Sequence, residues 1–113
     1  MRTVVELSTY IAAAEDAGMT GDERDAVIDL IASNPALGDV MVGTGGARKF
    51  RIGGRGKGKS GGYRVISYFG GEEIPVFLIT VFSKGDKANL TAADKAVVRK
   101  LTTALAAYGR TDL

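Results

Sequence analysis

Seven cations fall between residues 48 and 64 with no acid among them: Arg48, Lys49, Arg51, Arg55, Lys57, Lys59 and Arg64. Nine of the chain's 16 glycines occupy nearly the same stretch, from Gly43 to Gly62. Lysine and arginine hold phosphate oxygens, and glycine lets backbone amides approach them closely. Crowded cations repel one another, and a polyanion relieves that repulsion. The stretch therefore points to a nucleic acid, bound in a strongly salt-dependent way. A plain solvated hairpin would account for the composition but would leave the repulsion uncompensated.

Two cations read as parts of a site rather than of a tether. Arg64 opens an expected strand, which restrains it more than a loop restrains Arg55 or Lys59. Lys84 directly follows the next strand, in Phe82-Ser-Lys84-Gly-Asp-Lys87. If those strands pair, Arg64 and Lys84 emerge near one end of the sheet, beside the basic loop. The competing expectation is that Arg64 pairs with an acid on the helices.

The rest of the chain bounds what such a site can be. Its 113 residues amount to one domain, 1–113, and a 45% hydrophobic content supports a packed core rather than a disordered chain. There is no cysteine and no histidine, so disulfides, thiol nucleophiles and imidazole bases are excluded. The net charge of +2 conceals an asymmetry: outside the basic stretch the chain carries 8 cations against 13 acids. No apolar run reaches the length of a membrane span, and the first residues lack a signal-peptide pattern. The expectation is a small soluble cytoplasmic protein with no membrane partner.

The elements that must position the cations can be read from period and punctuation. Residues 1–7 offer a short strand. A helix follows over 8–17, with Ser8 as its cap and Gly18 as its stop. Thr20 and Glu23 have capping-box spacing and open a second helix, whose apolar face is Ala26, Val27, Leu30 and Ile31. Asn34-Pro35 ends it. A loop is expected over 36–46, then strands over 47–52, 63–69 and 76–82. In the first of these, Phe50 and Ile52 face the core while Lys49 and Arg51 face water. The third, nearly all apolar, reads as central. A last helix starts after Thr91, with Val97, Val98, Leu101, Leu105 and Tyr108 as its stripe. This is an α+β domain with helices on an antiparallel sheet.

Two phosphate-binding patterns occur by accident. Gly53 to Ser60 fits G-x-x-x-x-G-K-S, and Gly56 to Gly61 fits G-x-G-x-x-G. Both motifs require a helix after the loop. Here Tyr-Arg-Val-Ile-Ser-Tyr follows instead, which is β-branched and aromatic.

The ordered combination Gly45-Gly-Ala-Arg-Lys-Phe-Arg-Ile, the Gly/Lys loop, Gly-Gly-Tyr-Arg-Val-Ile-Ser-Tyr, Val-Phe-Ser-Lys84 and Leu90-Thr91 resembles the RelE/ParE superfamily of toxins, and within it the HigB type. The resemblance runs over roughly residues 20–106. It implies a RelE-like fold, with N-terminal helices and a C-terminal helix packed on a curved antiparallel sheet. The activity it implies is ribosome-dependent cleavage of mRNA, without metal or cofactor, by attack of a 2′-hydroxyl on the adjacent phosphate. The implied partners are the ribosome with its mRNA and a cognate helix-turn-helix (HigA-type) antitoxin.

Carried over position by position, the resemblance makes Lys57 a general base crowded by cations that favour its neutral form. Arg64 becomes the phosphate clamp, and Lys84 the group that stabilises or protonates the leaving oxygen. Arg48, Lys49, Arg51, Arg55, Lys59 and Lys87 are the expected RNA- and ribosome-binding residues, with Phe82 offering a surface for stacking. The chain departs from the pattern at Leu90, where RelE has a catalytic tyrosine. Two other readings use the same sequence: a ParE-like gyrase inhibitor without nuclease activity, and a plain RNA-binding module.

Overall fold

In the computed structural model the described residues are 2–53, 62–83 and 89–110, the last three by backbone alone. They form β1 (Val4–Glu6), α1 (Ser8–Ala17), α2 (Gly21–Ser33), β2 (Asp39–Val40), β3 (Arg48–Ile52), β4 (Tyr63–Tyr68), β5 (Val76–Ser83) and α3 (Ala92–Arg110). The sheet order is β1-β5-β4-β3-β2. The α+β class and the β3-β4-β5 meander follow the sequence reading. None of the helices is long and apolar enough to cross a membrane among the described residues.

Two features of the sheet differ from expectation. The pairing is not wholly antiparallel, because β1 runs parallel to β5 with Val4 opposite Val76. Parallel neighbours need a long crossover, and here both N-terminal helices and three strands lie between them in the chain. The other is β2, inside the stretch read as a loop: Asp39 pairs with Lys49 and Val40 with Arg48. Two residues are too few to show a period of two.

Helix ends follow their sequence signals except at one point. Thr20 and Glu23 form a reciprocal capping box, with N–H to oxygen distances of 3.1 and 2.9 Å. Thr91 and Asp94 do the same before α3, at 3.0 Å each way. Gly18 closes α1 in the left-handed region at φ 78°. Ser8, expected as the cap of α1, is instead its first helical residue; Leu7 holds the cap position, without a side-chain bond.

The sheet divides two cores. On one face α1 and α2 cover Phe50, Tyr63, Val65, Val76, Leu78 and Val81 with Tyr10, Ala14, Val27 and Ile31. On the other, Val98 of α3 joins Ala47, Ile66, Phe77, Ile79, Phe82 and Leu90, with Leu101 and Leu105 packed against them. The buried side of α2 is Glu23, Val27, Ile31 and Ala32, rotated from the expected stripe, so Ala26 and Leu30 are exposed. On α3 the buried positions are Val98 and Thr102, while Val97 is 57% exposed. Tyr108 lies outside the described side chains. The β4–β5 register shifts between Ile66 and Ser67, and such a bulge bends the strands.

Candidate functional site

Strand alternation decides which cations meet. Phe50 and Val65 are buried under α1 and α2, so their neighbours Lys49, Arg51 and Arg64 project from the opposite face, the one that carries α3. Register then aligns them: Arg51 stands opposite Arg64, and Arg64 opposite Phe82, in one row across three strands. Lys49 stands opposite Ile66 in the next row on that face. A cavity of about 360 Å³ opens over this ground, lined by Gly38, Asp39, Lys49, Phe50, Arg51 and Arg64.

None of the three cations is neutralised by a described acid. The ion pairs among described residues are Arg2 with Glu72 and Arg24 with Glu6, both elsewhere. Arg64 therefore makes no ion pair with an acid on the described helices. Lys49 directs its ammonium to the Asn89 side-chain oxygen, at 3.5 Å. Charge is segregated by face as well. Helices α1 and α2 carry Glu15, Asp16, Asp22, Asp25 and Asp29 exposed, whereas α3 adds Lys95, Arg99 and Lys100 to the cationic side.

Other expected residues are placed elsewhere. Arg48 shares the face of Phe50 and donates to the Gly38 carbonyl at 3.0 Å, so it braces β2 rather than joining the row. Phe82 is 6% exposed and packs with Leu90 and Val98. Its ring is a wall of the core, with little surface left for stacking. Leu90, at the tyrosine position of the resemblance, is buried in the same core. Arg55, Lys57, Lys59, Lys84 and Lys87 lie outside the described residues. Ser83, the last residue of β5, pairs with Tyr63, the neighbour of Arg64.

Beneath the row a buried hydrogen bond ties β4 to α2. The Tyr63 hydroxyl donates to Glu23 Oε1 at 3.0 Å, the oxygen that also completes the capping box. Burial, and that bond to a carboxylate, raise the Tyr63 pKa. Sequence reasoning identified Glu23 as a cap and missed this second duty, because only the fold brings β4 beneath α2. It also missed Asp39, the acid on the cavity rim, for which the neighbouring Gly38 was the one local signal.

A family model for the RelE toxin of the RelE/RelB toxin–antitoxin system matches residues 14–113. The matched span includes every strand but β1, all of α2 and α3, and the whole cationic row. Membership implies a cognate antitoxin as partner. With its helices on a five-stranded sheet and its cations gathered on one face, the chain belongs to the RelE toxin family, the toxin half of a toxin–antitoxin pair.

Proposed function

We propose that this toxin is an mRNA interferase, an endoribonuclease that cuts mRNA in the ribosomal decoding site and so stops translation. The observation that supports this most is the Arg51–Arg64 pair: two arginines opposite each other on one sheet face, neither of them ion-paired with a described acid. Such a pair is costly in an empty protein and favourable on a phosphodiester.

The proposed chemistry is transesterification. Lys57 takes the proton from a ribose 2′-hydroxyl, the 2′-oxygen bonds to the adjacent phosphorus, and the bond to the 5′-oxygen breaks. Lys84 stabilises or protonates that leaving oxygen. The products are a 2′,3′-cyclic phosphate and a free 5′-hydroxyl. Arg64 holds the phosphate and offsets the charge that builds in the pentavalent transition state. Its role stays electrostatic, because arginine keeps its proton. Lys49, Arg51, Arg55, Lys59 and Lys87 grip the flanking strand and ribosomal RNA. In this reading the partner is a HigA-type helix-turn-helix antitoxin and the site of action is the cytoplasm.

Induced expression tests the reading. Rapid translation arrest, with messages cut inside codons, supports it, as does loss of toxicity in Arg64→Ala and Lys84→Ala. DNA-damage signalling with translation continuing would instead indicate a gyrase inhibitor. Full toxicity of both variants would overturn the site.

A further inference from the structure

A carboxylate is out of place on a surface built for phosphates, yet Asp39 stands on the rim of the cavity that Lys49, Arg51 and Arg64 line. It repels a phosphate and is exposed, so neither backbone binding nor core packing accounts for it. Its position is nonetheless fixed. Register sets it directly opposite Lys49, hence on the cationic face. Gly38, just before it, sits at φ 98°, so close to β3 that a Cβ there would lie 2.5 Å from the Lys49 carbonyl oxygen. The Arg48 guanidinium holds the Gly38 carbonyl from the other face. Lys49 directs its ammonium to Asn89 rather than to Asp39, and no described cation pairs with the carboxylate.

We infer that Asp39 is a specificity-determining residue that reads a guanine base beside the phosphate held by Arg51 and Arg64. This rests on the reading of the cationic face as an RNA surface. An ionised carboxylate only accepts hydrogen bonds, through two oxygens in a fork. Guanine alone among the RNA bases presents two adjacent donors on its Watson–Crick edge, N1–H and the 2-amino group, which match that fork. Adenine and cytosine offer one amino group each, and uracil sets two carbonyls around its single N–H. Single-stranded RNA exposes these edges for side chains to read. Asp39 thus costs some affinity for every phosphate and returns it for one base.

Binding of short uridine oligonucleotides, with and without one central guanosine, tests this by fluorescence anisotropy. The wild type should favour the guanosine oligomer about tenfold, the usual worth of a bidentate contact to a base. Inosine in its place, which lacks the 2-amino group, should lose most of that preference. Asp39→Ala should abolish the preference while binding all-uridine RNA more tightly, and Asp39→Asn should behave alike in preference. A merely structural role would instead weaken binding to every oligomer. Equal wild-type affinity for the two oligomers, or a preference that survives Asp39→Ala, overturns the inference. Neither result bears on whether ribosome-bound mRNA is cut, and failure to cut leaves this binding comparison unaffected.

Discussion

Arg51 and Arg64 face each other directly across β3 and β4, like charges in adjacent strands on one face of the sheet. Cross-strand like charges destabilise a sheet by roughly 0.2–1 kcal/mol. Replacing Arg51 with threonine, which suits a strand, is therefore expected to raise the thermal midpoint slightly. The same change should weaken RNA binding, and lower the slope of log affinity against log salt by about 0.7, because one phosphate is no longer neutralised. Calorimetry and salt titration check the two halves. A destabilised Arg51→Thr would show that the pair is structural.

Glu23 serves the capping box and the Tyr63 hydroxyl with one buried carboxylate oxygen. Thr20→Ala removes one capping bond and should cost about 1 kcal/mol in urea unfolding. Glu23→Ala should cost more, because it leaves the Tyr63 hydroxyl and the Thr20 amide without their partner. Tyr63→Phe in the Glu23→Ala background should then recover part of the loss.

Tyr10 is fully buried and its hydroxyl has no hydrogen-bond partner among the described residues. Tyr10→Phe is thus expected to be neutral or stabilising, since a buried hydroxyl without a bond costs free energy. Burial foremost, and then the Glu6 carboxylate, push the Tyr10 pKa from 10.0 up to about 12. A pKa raised in the folded state means that the protonated form is the one folding favours. Its contribution is complete below pH 10 and declines as pH rises toward 12. Unfolding midpoints measured across that range should fall in the wild type and fall less in Tyr10→Phe.

Gly45 lies under α3, and a Cβ there would collide with the Thr102 hydroxyl. That buried hydroxyl donates to the Thr44 carbonyl at 2.7 Å and helps fix α3 to the loop before β3. Gly45 is also in the left-handed region, at φ 72°. Gly45→Ala should cost on the order of 1–3 kcal/mol, through strain and displacement of the helix. Thr102→Ser should be far milder, and thermal unfolding separates the two.

Much of this architecture was legible in the sequence because it is local. The Thr20–Glu23 capping box, the start of α3 after Thr91, the Gly18 stop and the alternation around Phe50 each declare themselves within a few residues. Long-range relations were not legible. The parallel seat of β1 on β5, the two-residue β2 and the Tyr63–Glu23 bond depend on elements far apart in the chain. Sequence density treated the cations of residues 48–64 as one cluster. Alternation along β3 divides its three, sending Arg48 to the face covered by α1 and α2 and leaving Lys49 and Arg51 beside Arg64. Phe82 shows the same limit: an aromatic next to a basic site looks available to a base until α3 is seen to cover it.

The most direct test is a purified translation reaction stalled with a codon in the decoding site, to which wild type or Arg64→Ala is added and the message ends are mapped. The proposed mechanism predicts wild-type cleavage within the codon, leaving a 2′,3′-cyclic phosphate upstream and a 5′-hydroxyl downstream. Arg64→Ala, at unchanged thermal stability, should cut at least about a hundredfold more slowly. Intact message with the wild type, or equal cleavage by Arg64→Ala, would contradict it.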